Sequence, residues 1–221
     1  MTFEPLRVTA HMERELALPS GALALDALLA AAVALRDNLP PAFTSAELTP
    51  IEVPLMREPG GRFHLASFSI AEWDAHSLRW VNRRFPVAEA QAFGEAKLRR
   101  IQITSGPCKS YRLPLHMSYA KDDVIDWYVI GDAAEIEALL GLIRYLGKRR
   151  AVGYGRVSRW TVEPCEAWPG FPVLRDGQPL RPLPPDWPGL AACETAYHPL
   201  SYPYDKRNRE RPLCAIPARA A

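Results

Sequence analysis

The sequence predicts an α+β fold, and three observations carry that prediction. Alternating stretches read as strands at Leu6 to Leu16, Lys109 to Tyr119, Val124 to Ile130 and Arg156 to Val162. Two segments have helical apolar spacing, one from Leu25 to Leu35 and one from Ile136 to Leu146. The order is strand, helix, strand pair, basic insertion, strand pair, helix, strand. Two β-α-β units of that kind predict a ferredoxin-like, RRM-like sheet with both helices on one face. The other face is then free, and RNA-recognition modules use it to bind single strands.

The first strand is broken by Pro19-Ser20-Gly21. Leu25, Leu28, Leu29, Ala32 and Leu35 then give one apolar helix face, with helix-favouring alanines between them. Asn38-Leu39-Pro40-Pro41 ends that helix. Ile51 to Met56 and Arg62 to Ile70 read as a hairpin across Glu58-Pro59-Gly60-Gly61. The stretch 73–107 combines a strand-like Leu78 to Val81 with a helix-like Val87 to Leu98. Tyr111, Leu113, Leu115 and Met117 share one side of the next strand, and Asp122-Asp123 forms the turn that follows it. Asp132 is placed to cap a helix from Ala133, with Glu135 as its reciprocal partner. Ile136, Leu139, Leu140, Ile143 and Leu146 form the buried stripe, so the helix is expected to end near Leu146 with Gly147 just beyond it.

Composition narrows the function classes. A chain of 221 residues holds one domain, or one domain with an appendage. The net charge is only +2, so a nucleic-acid partner must be read from local clusters. No apolar run reaches the roughly 20 residues of a membrane span. The start, Met1-Thr2-Phe3-Glu4-Pro5, does not read as a signal peptide. Cys108, Cys165, Cys193 and Cys214 are dispersed, which points to a reduced, cytoplasmic protein needing no metal or other cofactor.

Residues 1–163 are expected to form the ferredoxin-like domain, with a basic insertion at about 73–112. Residues 164–221 read as an extended proline-rich arm, since they hold 12 of the 22 prolines and proline opposes helix and central strand. Trp168, Phe171, Trp187, Tyr197, Tyr202 and Tyr204 make it too aromatic for a disordered tail, so it should pack on the domain or on a neighbouring subunit. Its basic end, Lys206 to Arg211, is either a phosphate contact or a solvated run.

Two cationic clusters stand out. The first is a glycine loop: Gly147, Lys148, Arg149, Arg150, then Gly153, Tyr154, Gly155 and Arg156. Glycines flanking an aromatic let a backbone approach a ligand, and adjacent cations favour an anionic one. The helix-loop-strand order is the reverse of a Walker or dinucleotide loop. A polyanion backbone along a sheet edge suits it better. The second cluster is Arg79, Arg83, Arg84, Lys97, Arg99, Arg100, Lys109 and Arg112, which face only Glu89 and Glu95 in the insertion. Trp80, Phe85, Phe93 and Tyr111 are interleaved, either as core or as stacking partners for bases.

Gly147, five residues, then Gly153-Tyr154-Gly155 resembles the C-terminal glycine-rich motif of the RAMP superfamily of CRISPR-associated proteins. Tyr145 stands where that motif has its first glycine. With the Leu25-Asp26-Ala27-Leu28-Leu29-Ala30 helix, residues 6 to 163 are similar to the small Cas-five-like subunit of type IV CRISPR effector complexes. The resemblance implies a binding protein of an antiviral ribonucleoprotein. Such a subunit holds the 5′ handle of the crRNA, caps the filament of backbone subunits, docks the large subunit and contacts the target DNA beside its adjacent motif. Base pairing then reads the target sequence.

Two other classes stay open. A metal-independent endoribonuclease acting on CRISPR repeat RNA needs a base and an acid, for which His116 with Tyr111, Tyr119 and Lys121 is the best set and His11 the next. Asp122, Asp123 and Asp126 read as solvated caps rather than metal ligands. A scaffold contacting only protein is the third class, and salt dependence separates it from an RNA binder.

Overall fold

The structure is a computed structural model that describes residues 2–18, 22–39, 51–93, 102–105, 108–205 and 207–217. It is a mixed α/β protein with antiparallel sheets and few helices. The central sheet has the order β5-β1-β6: β1 (Glu4–Met12) is flanked by β5 (Val124–Gly131) and β6 (Val157–Pro164), antiparallel on both sides. The register sets Leu6 opposite Val129 and Val8 opposite both Trp127 and Val162.

Strand alternation explains which side is buried. Leu6, Val8, Ala10 and Met12 on β1, with Ile125, Trp127 and Val129 on β5, join the core beneath α1 (Leu25–Arg36) and α3 (Ala133–Leu140). Each fully buried large apolar side chain here contributes about 1.5–3 kcal/mol. Trp127 sits wholly inside and still satisfies its indole N–H on the Leu23 carbonyl at 2.8 Å.

The buried arc of α1 is rotated from the expected one. Leu25, Asp26, Leu29, Ala30, Ala32 and Val33 face inward, whereas Leu35 is 64% exposed. At 100° per residue, Leu28 and Leu35 lie on the flank of that arc. The expected hairpin at 51–70 forms its turn, with the Glu58 carboxylate accepting from Gly60 N, Arg62 N and Arg62 Nε. Its arms then diverge: Leu55 bridges Gly131, while Ala66 and Ile70 bridge Val129 and Asp126 along the free edge of β5. This order is compatible with a ferredoxin-like sheet.

Asp132 caps α3 as expected, accepting from Glu135 N at 3.1 Å. The reciprocal bond does not form, because Asp132 N donates to the Pro54 carbonyl. The helix also ends earlier than expected, at Leu140 rather than near Leu146. Leu142 N and Ile143 N bond back by three residues in a tightened last turn. Ile143 and Leu146 are buried all the same, because the chain crosses the same core as an irregular hairpin.

A second sheet, order β2-β4-β3, carries the basic insertion. The long ribbon of β3 (Trp73–Arg83) and β4 (Tyr111–Ala120) is joined to the domain through β2 (Leu16–Ala17), and α2 (Val87–Phe93) follows β3. The proline-rich arm folds back on the 51–70 segment. It contains two small hairpins, β7 (Leu174–Arg175) with β8 (Gln178–Pro179), and β9 (Thr195–Tyr197) with β10 (Leu213–Ala215). Val173, Leu174 and Leu183 build a second core around Phe63. Trp168 and Phe171 cover Tyr128 on the far face of the central sheet, with ring centroids 4.8 and 6.1 Å away.

Candidate nucleic-acid interface

The β3–β4 register divides the ribbon into two faces. Arg79, Val81 and Arg83 lie opposite Leu115, Leu113 and Tyr111 on one face. Leu78, Trp80 and Asn82 lie opposite His116, Pro114 and Arg112 on the other. The first face receives the glycine loop. Tyr154 and Val81 pack on the small core of Ala17, Leu115 and Met117, and the Arg79 guanidinium lies 5.8 Å from the Tyr154 ring centroid. Arg149 donates to the Tyr111 hydroxyl, which lowers that phenol from its ordinary value, and Arg83 on the facing strand acts in the same direction. Tertiary structure therefore brings Arg149 and Tyr154 of one cluster against Arg79 and Arg83 of the other.

The glycines serve this docking. Gly147 and Gly155 have φ of 74° and 66°. A Cβ at Gly155 would sit 2.1 Å from the Leu146 carbonyl oxygen, and one at Gly147 would sit 2.8 Å from that of Ala17. Lys148 N donates to the Ala17 carbonyl and Gly155 N to that of Glu15. The close backbone approach foreseen for a ligand is thus made to β2 and to the loop itself. Gly153, with φ of 90°, has open space around its Cβ position.

Charge pairing sorts the cations. Arg79 is bound to Glu15 at 2.7 Å and Arg156 to Glu13 at 3.1 Å. The insertion's few acids were expected to leave Arg79 unpaired, but its partner comes from the segment between β1 and β2. Tyr119 also donates to Glu15, and that bond raises its hydroxyl above the ordinary phenol value. By contrast, Lys148, Arg149, Arg150, Arg84, Lys109 and Arg112 are exposed and make no ion pair with a carboxylate among the described residues. Arg112 stacks 4.2 Å from the centroid of Trp80, which is 47% exposed rather than core. Arg150 lines a groove beside Leu35 and Leu142. Lys97, Arg99 and Arg100 lie outside the described residues. At the arm's basic end, Arg207 is bound to Asp205 at 2.8 Å and Arg211 Nε donates to the Asn208 carbonyl.

The candidate nuclease set is dispersed. His116 stands on the opposite face of β4 from Tyr111 and Tyr119, and Lys121 is bound to Glu72 at 2.6 Å. His11 Nε2 lies 3.4 Å from the Thr161 hydroxyl. Asp126 is held by Arg7 and Thr9.

The family model of CRISPR type IV associated protein Csf3 matches residues 65–207. The chain belongs to the Csf3 family. Membership supports a role in a type IV CRISPR complex. The match takes in β3, β4, the glycine loop and most of the arm, whereas the resemblance read from sequence stopped at 163. Comparison with curated proteins finds no match. Among the described residues, no helix is long and apolar enough to cross a membrane.

Sequence reasoning missed the feature that ties the Csf3 match to the N-terminal helix. Arg181 is fully buried between Phe63 and Phe68 and donates to the carbonyls of His64, Ala66 and Leu200 and to the Tyr204 hydroxyl. Tyr204 in turn donates to Asp26 at 2.6 Å. The available signal was Asp26 itself, an acid inside the buried arc of α1.

Proposed function

We propose that this Csf3-family chain is the guide-RNA-binding subunit of a type IV CRISPR ribonucleoprotein. On this reading it holds the crRNA 5′ handle, caps the backbone filament, and contacts the large subunit and the target DNA beside its adjacent motif. One observation carries the proposal: the glycine loop docks on the ribbon, and exposed Arg149 and Arg83, from the two clusters, meet at Tyr111. Lys148, Arg149, Arg83, Arg84 and Lys109 would grip phosphates, and Trp80 under Arg112 would offer a stacking face. A ferredoxin-like RAMP domain with a proline-rich arm is the fold this function uses, in the cytoplasm and without a cofactor. The chain performs no bond chemistry.

Filter binding of CRISPR repeat RNA over a salt series tests this. Lys148→Ala/Arg149→Ala is expected to weaken binding by about 2 kcal/mol, at about 1 kcal/mol or more per charged hydrogen bond lost. The log–log salt slope should fall by about 1.4, at about 0.7 per single-strand phosphate. Unchanged affinity and slope would remove the loop from the RNA site. Site-specific cleavage in EDTA that His116→Ala abolishes would replace binding with nuclease activity.

A further inference from the structure

Beside the glycine loop, and without Tyr154 in its lining, is a groove of about 390 Å³. Leu35, Leu142, Ile143, Tyr145 and Ala151 line it together with two cations, Arg144 and Arg150. Leu35 and Leu142 are 64% and 46% exposed, and the neighbouring Val152 is 68% exposed. A cluster of exposed large aliphatics is unusual on a surface that meets only water. No acid lines the groove. Arg144 and Arg150 pair with no carboxylate among the described residues, while the nearby Asp37 and Glu135 are occupied by Arg36. Aliphatic side chains cannot hold phosphates, so an RNA strand gripped by its backbone would leave Leu35 and Leu142 unused.

We propose that this groove is a protein-docking site, taking a segment of another subunit whose aliphatic residues are flanked by Asp or Glu. The aliphatics meet Leu35 and Leu142, and the carboxylates meet Arg144 and Arg150. The proposal rests on the reading of this chain as one subunit of a larger assembly. It does not require that the loop bind RNA.

The test places the photo-crosslinker benzoylphenylalanine at Leu35 or Leu142 in the complex assembled with its co-expressed subunits and guide RNA. The expected product is a crosslink to a different protein subunit, mapped by mass spectrometry to an aliphatic stretch bearing acidic residues. Crosslinks only to RNA, only to a second copy of this chain, or to nothing in an assembled complex would overturn the proposal. In parallel, Leu35→Asp/Leu142→Asp should reduce incorporation into the complex at least tenfold and leave the RNA affinity of the isolated chain unchanged. If RNA affinity falls along with incorporation, the groove is an RNA surface and the proposal fails. Thermal melting checks that the variant folds, and the crosslinks decide if it does not. Lys148→Ala/Arg149→Ala tests the RNA reading separately, so the two failures are distinguishable.

Discussion

Replacing Gly155 by alanine should destabilise the protein far more than the same change at Gly153, although both glycines belong to one motif. At Gly155 the φ of 66° costs an L-residue about 1–2 kcal/mol. The new Cβ would also lie 2.1 Å from the Leu146 carbonyl oxygen, which is backbone and has no rotamer to change. Separating them breaks the bonds from Leu146 N to Gly155 O and from Gly155 N to Glu15 O, both 2.8 Å, at about 1 kcal/mol each. The expected loss for Gly155→Ala is therefore about 3–4 kcal/mol. Gly153→Ala meets nothing and should lose only the conformational part, about 1–2 kcal/mol. Gly147→Ala, 2.8 Å from the Ala17 carbonyl oxygen, should fall between them. Urea unfolding followed by tryptophan fluorescence measures all three. Equal losses at 153 and 155, or a loss below about 1 kcal/mol at 155, would refute the docking role of these glycines.

Asp26→Ala should cost about 3–5 kcal/mol in the same assay, because it strands the buried Arg181, and Asp26→Leu/Arg181→Met should recover much of that loss. Tyr204→Phe, which removes one hydroxyl from this network, should cost about 1–3 kcal/mol. Acid should weaken the fold through Asp26. Burial alone would raise its carboxyl, but His64, Arg181 and Tyr204 together hold it below the ordinary range. Its contribution is therefore complete above the unfolded value of about 3.9 and lost as pH falls toward the lower folded one. Unfolding curves from pH 7 to 3 should show this loss, and Asp26→Asn should flatten it. Glu15→Gln should free Arg79 and strengthen repeat-RNA binding by less than tenfold in filter binding, with a stability change within about 1 kcal/mol.

Strands β4 and β5, the Asp132 cap and the stripe from Ile136 to Leu146 were legible because each is written in local spacing; the first strand, expected to run to Leu16, ends at Met12, and Leu16–Ala17 joins the second sheet as β2. The end of α3 was not. Ile143 and Leu146 keep helical spacing, yet they are buried by a hairpin that crosses the same core, and spacing does not distinguish the two. Trp80 stayed ambiguous for the opposite reason: an aromatic in a strand reads either as core or as a stacking face, and only its exposed place on the ribbon under Arg112 decides it. The cations were visible as residues, and their pairing was not.

The sequence by itself determined most element types and the positions of the basic clusters and of the loop glycines. These follow from side-chain period and from the steric cost of a Cβ, which act within a few residues. Only the tertiary structure decided that Glu15 neutralises Arg79, that Arg149 and Arg150 face different neighbours, and that Asp26 holds the arm through Tyr204 and Arg181. Those contacts join residues 64, 1 and 178 positions apart or next to one another, so they depend on where packing brings each side chain and not on its local spacing.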